Sequence, residues 1–359
     1  MENYSMYLPA YSIGNAVYEK APAICRKAGK TAVLIGGKKA LAAAGDAIEK
    51  AFRDSEVAIL DRRWYGGEAT WENVEALAAD KAVQASEIIL AVGGGKALDT
   101  CKALGEKLGK SVFTFPTIAS TCAATTAVSI MFNPDGSFHG PFFLEAPPVH
   151  AFISTPIIAA APRRYMWAGM GDTYAKYFES EMSSRGEDLV HYHALGVNIS
   201  RMCLDPILKY GALAMEDNGK GEASFALEQV VLAIVVTTGI ASILLTKEHI
   251  IDYNTGLAHA VYYALTRWKH IDEKHLHGEV VSFGILLLLL LDGQEEMFRK
   301  LLEFSRAVGL PTKLEDIEFS PAELKELIPA ILSMHDIDHN PYPITAAMLE
   351  KAFADLEKQ

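Results

Sequence analysis

The stretch EIILAVGGGKALDTCKALGEKLGKSVFTF, residues 87–115, decides the fold. It reads as an apolar strand (87–92), three glycines, a helix-patterned run and a second strand, SVFTF (111–115). A strand that is apolar along its whole length is covered on both faces, as in a parallel sheet. The same alternation extends outward. TAVLI (31–35) is a strand ending at Gly36-Gly37, AIEKAFRD is helical, VAIL (57–60) is a strand and ENVEALAADKAVQ is helical. AVSIMF (127–132) and VHAFIS (149–154) add two strand-like runs, with the turn signal NPDG (133–136) between them. Strands alternating with helices predict an α/β domain built on a parallel sheet.

After about residue 157 the pattern changes. Runs such as PRRYMWAGMGDTYAKYFESEMSS and GQEEMFRKLLEFSRAVG have helical spacing, and strand signals nearly vanish. The expected organisation is an α/β dinucleotide-binding domain over 1–157 and an all-helical metal and substrate domain over 158–359. Ligands are expected in a cleft between them. A chain of 359 residues suits two domains.

Composition narrows the class. A formal charge of −12 argues against nucleic acid or an anionic membrane as partner. Cys25, Cys101, Cys122 and Cys203 are scattered, with neither a disulfide framework nor zinc-finger spacing. The opening MENYSMYLPAYSIG has no basic segment followed by an apolar one. The apolar run QVVLAIVVTTGIASILLT (229–246) is interrupted by Thr237, Thr238, Gly239 and Ser242, which favours a buried core helix over a membrane span. A soluble, reduced, cytoplasmic protein is expected.

Two sets of residues carry chemistry. Glycines at a strand-to-helix turn let a backbone approach a ligand, and the exposed N–H groups of the helix start form an anion site. Gly93, Gly94 and Gly95 stand at such a turn, although this is not the GxGxxG dinucleotide fingerprint. Asp99, one helical turn on, either holds this loop or is a solvated carboxylate. The loop FPTIASTCAATTA (115–127) is rich in hydroxyls that suit phosphates or a carboxamide. The second set is Asp172, following a Gly-Met-Gly turn at an expected helix start, with His259 in an apolar helix and the histidines of HIDEKHLHGE (270–279). Each has a plain structural reading. Together, one aspartate and two histidines from three helices make a three-ligand site with an open position, the pattern of a catalytic divalent metal.

The runs VGGGKALDTCKAL, PTIASTCAATTAVSIMF, AGMGD, GLAHAV and HGEVVSFGIL, in this order, resemble the glycerol dehydrogenase branch of the iron-containing (group III) alcohol dehydrogenases. The resemblance spans nearly the whole chain. It implies an N-terminal dinucleotide-binding domain and a C-terminal helical metal domain. By motif match, Gly93, Gly94, Gly95 and Asp99 would hold the pyrophosphate loop. Thr117, Ser120 and Thr126 would contact phosphates and the nicotinamide ribose side, and Val128, Ile130 and Phe132 would line the nicotinamide pocket. Asp172, His259 and His277 would hold the metal. His270 and His275 would be rim residues, with a proton relay as the lesser alternative. Zinc is usual in this branch and ferrous iron in others, and dimers or larger rings are implied.

Three departures bear on substrate and cofactor. Cys122 stands where the resemblance implies an aspartate that holds the polyol, and a neutral thiol cannot replace a carboxylate acceptor. Lys176, four residues after Asp172, shares its helical face and suits a substrate carboxylate, a salt bridge with Asp172 or Glu179, or solvent. These two residues favour a 2-hydroxy acid/2-oxo acid pair, with glycerol and dihydroxyacetone as the alternative. The first strand ends in Gly36, Gly37, Lys38 and Lys39 rather than an acidic residue, which leans to NADP over NAD. Asp61 lies too far along to serve. A dehydroquinate synthase-type lyase is disfavoured because its basic phosphate motifs are not recognisable. A non-catalytic nucleotide-binding regulator has no need of an open metal position.

Overall fold

The computed structural model describes residues 3–247 and 253–359. Among the described residues eight strands are formed: β1 (Tyr11–Gly14), β2 (Thr31–Gly36), β3 (Ala58–Trp64), β4 (Ile88–Gly93), β5 (Ser111–Pro116), β6 (Val128–Phe132), β7 (Phe138–Phe143) and β8 (His150–Ser154). Six make one sheet in the order β1-β8-β5-β4-β2-β3, with every pairing parallel. The apolar runs explain this. Val33, Leu34 and Ile35 and all of Ile88 to Val92 are fully buried, so both faces of β2 and β4 are covered. Phe115 stacks on Phe152 at 5.0 Å, and these rings share a core with Leu34, Leu90, Ile48 and Phe52. Burying each such side chain stabilises the fold by about 1.5–3 kcal/mol.

β6 departs from expectation. It leaves the main sheet and pairs antiparallel with β7, with NPDG in the connecting loop. Its burial pattern is the reason. Ser129 and Met131 are buried while Val128, Ile130 and Phe132 lie on the more open face, the alternation of a strand covered on one side. β1 and β7 carry weak sequence signals, short and without an unbroken apolar run.

The chain divides into two compact units. The first holds residues 1–162 and 217–231, the second 163–216 and 232–359. The division therefore differs from the expected 1–157 and 158–359. The segment 217–231 is claimed by the first unit because buried Asn218 reaches the carbonyls of Ile158, Ala159 and Ala161 at 3.2, 2.8 and 3.0 Å. Among the described residues every strand precedes residue 155, and the second unit is helical.

In the first unit, helix α1 (Gly95–Leu108) follows β4 directly. In the second, α2 (Arg163–Ser183), α3 (Leu257–Leu265) and α4 (His277–Leu291) pack together. Their backbones come unusually close. A Cβ on Gly171 would lie 2.2 Å from the Gly278 carbonyl, one on Gly278 would lie 2.0 Å from the Ala168 carbonyl, and one on Gly284 would lie 2.6 Å from Ala258 Cα. The apolar stretch Phe225–Leu245 is long and apolar enough to cross a membrane by composition, but 72 % of its most apolar window is buried inside the protein.

Candidate active site

Two sites emerge, one in each unit. In the first, the sheet order reverses between β2 and β4, since the chain leaves β2 for β3 and then returns to the other side of β2. Ligands of open α/β sheets bind at the carboxyl ends of the strands at such a switch point. The two glycine turns meet there. Gly93 has φ +151°, which only glycine adopts readily, and a Cβ on it would lie 3.9 Å from the Gly37 backbone nitrogen and 2.9 Å from Ala97 Cβ. Gly94 is the N-cap of α1 and supplies no capping side chain, so the first N–H groups of α1 have no side-chain cap from it and suit an anion. A Cβ on Gly94 would meet Ile118 Cδ1 at 2.5 Å, and one on Gly95 would meet Thr121 Oγ1 at 3.4 Å. Side chains there would fill the approach to the helix start. This cradle fits a dinucleotide pyrophosphate.

The other expected cofactor residues divide into those at the cradle and those beneath it. The Thr117 N–H donates to the Gly93 carbonyl at 3.1 Å, and Ser120 is half-buried in the same loop. Val128, Ile130 and Phe132 share the open face of β6, an apolar surface of the kind a nicotinamide ring stacks on. Lys96 lies 5.1 Å over the Phe132 ring and pairs with Glu68. Asp99 is a correction: it does not reach the phosphate loop. It is buried, pairs with Lys102 at 2.8 Å and accepts the Ile130 N–H. Burial pushes its carboxyl up, and Lys102 opposes this. Lys102 also donates to Thr126 Oγ1 at 3.0 Å and to the Val128 carbonyl at 2.5 Å. Thr126 in turn donates to Val128, so its hydroxyl serves this strut under β6. Gly37 caps the short helix Lys38–Ala40, and the Lys38 ammonium lies 4.5 Å over the Trp64 ring.

In the second unit, Asp172, His259 and His277 each offer a ligand atom, and these atoms all lie within 4.8 Å of one another. Asp172 Oδ1 stands 3.3 Å from His277 Nε2 and 3.8 Å from His259 Nε2. Ligand bonds of about 2.0–2.2 Å to a tetrahedral divalent ion imply separations of this size, so the residues fit the metal. The Gly-Met-Gly run before Asp172 is not a turn. Gly169 and Gly171 lie inside α2, and Gly171 with Gly278 lets α2 and α4 approach until Asp172 and His277 meet. His277 opens α4 and His259 sits in the first turn of α3.

Electrostatics support the same geometry. Burial works against the Asp172 charge, but His277, His259 and Lys176 outweigh it and hold the pKa at about 2. Burial works against a charged His259, and the Glu179 carboxylate, with Asp172, more than offsets this. Glu179, fully buried, enters the sequence reading only as a candidate partner of Lys176; its contact with His259 is not read there, although its spacing of seven from Asp172 is the available signal. Glu279 accepts the Leu276 N–H at 2.9 Å and pairs with His275 Nδ1 at 2.8 Å, fixing the turn that begins α4. His270 contacts the Glu318 carbonyl at 3.2 Å, outside the ligand set. Lys176 is a second correction. It is buried, and its ammonium donates to the Asn254 carbonyl and to Asn254 Oδ1, so it is not an open cation awaiting a carboxylate. Cys122 is half-buried in the loop after β5, where its carbonyl accepts the Thr125 N–H at 2.9 Å.

Comparison with known proteins adds to this geometry. A family model described as iron-containing alcohol dehydrogenase matches residues 9–151. The chain is 32% identical over 304 residues to a glycerol dehydrogenase of Thermotoga maritima, covering 80% of this chain and 79% of that one. It is 33% identical over 333 residues to hydroxycarboxylate dehydrogenase A of Escherichia coli (strain K12), covering 91% and 89%. The structure of glycerol dehydrogenase from Schizosaccharomyces pombe superposes with a TM-score of 0.86 at 24% identity, covering 100% of this chain and 91% of that one.

Proposed function

The chain belongs to the iron-containing alcohol dehydrogenases, in their glycerol dehydrogenase-like branch, and is an alcohol oxidoreductase; from that premise we propose that it interconverts a small polyol and its carbonyl form, with glycerol and dihydroxyacetone as the leading pair. The observation that carries this is the Asp172, His259 and His277 set, two imidazoles and one carboxylate converging from three helices. A divalent ion held there supplies Lewis acidity to the substrate oxygen, and a nicotinamide exchanges the hydride. Zinc is the ion we favour, with ferrous iron as the other candidate for this donor set.

The chain's own residues do the rest. The α1 start and Gly93 to Gly95 receive the pyrophosphate. The open face of β6 presents Val128, Ile130 and Phe132 to the nicotinamide. Asp99 and Lys102 keep that strand in place. At the far end of the cofactor, Gly36 and Gly37 leave no carboxylate to repel a 2′-phosphate, and Lys38 stands beside it. This supports use of NADPH as well as NADH.

A second reading, a 2-hydroxy acid substrate, is supported by Cys122 and by the similarity to a hydroxycarboxylate dehydrogenase. Lys176 no longer supports it, because Asn254 occupies its ammonium. An absorbance assay at 340 nm on zinc- or iron-loaded protein separates the readings. Turnover of dihydroxyacetone well above that of 2-oxobutyrate supports the polyol reading. The reverse order assigns the site to hydroxy acids, and turnover of neither with either cofactor removes both. A cytoplasmic homo-oligomer is part of the same proposal.

A further inference from the structure

Asp172, Lys176, Glu179 and Ser183 recur at spacings of four, three and four, so they share one face of α2. The first is in the ligand set. The other three all act on one short segment, residues 254–259. Lys176 holds the Asn254 carbonyl and side chain. Ser183 Oγ donates to the Thr255 carbonyl at 3.3 Å. Glu179 packs against Gly256, where a Cβ would lie 3.2 Å from its Cγ. Its two oxygens then take both donors of one residue: Oε1 accepts the His259 backbone N–H at 3.0 Å and Oε2 lies 2.5 Å from His259 Nδ1.

Resting on the metal site proposed above, we infer that Glu179 is the positioning residue that makes His259 a ligand through Nε2. A carboxylate only accepts, so the nitrogen beside it carries the proton. That leaves the Nε2 lone pair facing Asp172 Oδ1 at 3.8 Å. The other tautomer would set a lone pair against the carboxylate and place an N–H in the ligand set. The same side chain fixes the backbone. Gly256, the N-cap of α3, has no side chain to satisfy the first N–H groups of the helix. Glu179 supplies that acceptor from a neighbouring helix, so ring and main chain of His259 are aimed together. Such partners of metal-bound histidines are worth about 10- to 100-fold in affinity.

Glu179→Gln tests this. An amide keeps one acceptor for the backbone N–H and points an N–H donor at Nδ1, so it favours the proton on Nε2. The probe is Zn²⁺, competed against a chromophoric chelator, with the ¹⁵N-detected histidine tautomer of metal-free protein as a second readout. The expected result is a 10- to 100-fold loss of Zn²⁺ affinity in E179Q and a His259 proton on Nδ1 in the parent but not in the variant. If E179Q binds Zn²⁺ as the parent does while His277→Ala does not, the inference is overturned and the metal site stands. If H277A also binds Zn²⁺ as the parent does, the metal-site reading itself fails. Should E179Q not fold, the parent alone decides: an Nε2–H tautomer for His259 in metal-free protein overturns the inference.

Discussion

The two candidate sites use glycine for opposite purposes. At the end of β4, Gly93 supplies a backbone angle, Gly94 lies close against the Ile118 side chain, and Gly95 leaves room at the start of α1. At the crossing of α2 and α4, Gly171 and Gly278 leave no space at all, and the two helices touch through their backbones. The first arrangement is an opening for something that comes and goes. The second is a fixed joint that sets the distance between Asp172 and His277. Identical residues in a sequence therefore mark a candidate binding surface in one unit and a structural contact in the other.

The largest expected effect falls on the joint's product. His277→Ala or Asp172→Asn should abolish metal retention and lower turnover by roughly a thousandfold or more, because several kcal/mol of charge stabilisation is lost. Metal analysis and steady-state rates check this, and near-normal rates in metal-depleted variants would refute a catalytic role for the set. Next comes a matched pair. Gly278→Ala would place a methyl 2.0 Å from a backbone carbonyl, which cannot rotate away. It should cost about 1–3 kcal/mol or more and lower Tm. Gly94→Ala would meet only side-chain atoms of Ile118, Cδ1 at 2.5 Å and Cγ1 at 3.0 Å, which can turn aside. It should leave Tm nearly unchanged while raising KM for the nicotinamide by about tenfold. Calorimetry and kinetics on both variants decide it, and equal Tm losses would erase the contrast between opening and joint.

A smaller effect separates the buried carboxylates of the two sites. The Asp172 pKa is held at about 2, below its unfolded value, so its contribution to stability is present above the unfolded pKa near 4 and is lost as pH falls toward 2. In metal-free protein this amounts to roughly 2 kcal/mol. Denaturant unfolding of parent and D172N across pH 2–6 should show the difference shrinking with acid. A pH-independent difference would contradict it. Asp99 is shifted the other way by burial and should not add to this acid loss. The smallest effect concerns the cofactor end. Lys38→Ala should raise KM for NADPH several-fold, in keeping with one exposed charge-assisted contact, and leave NADH unchanged. An equal change for both would remove Lys38 from the 2′-phosphate reading.

Much of this was legible in the sequence, for reasons that differ by region. The strands of the main sheet announce themselves because full burial demands unbroken apolar runs, as in β2 and β4. Residue types that metals use point to Asp172, His259 and the histidines of 270–277, and the family resemblance selects His277 among these. What failed was inference from local pattern where packing decides. AGMGD looks like a turn because glycines usually break helices, yet here they serve contact between helices. Asp99 looks like a loop ligand by position, but its side chain turns inward to Lys102. Lys176 looks like a free cation on an active-site face, and only the fold brings Asn254 to it. Glu179 is one of many acidic residues until α3 is placed against α2.

The face of α2 that carries Asp172, Lys176, Glu179 and Ser183 has a consequence for how the chain can vary. Each residue inserted in or deleted from a helix turns everything beyond it by about 100° and shifts it by 1.5 Å. A one-residue length change between positions 172 and 179 would leave composition and hydropathy almost untouched, yet swing the carboxylate away from His259. This helix should therefore accept many substitutions and hardly any change of length. Length variation within the fold belongs in the loops, where no such angular phase has to be kept.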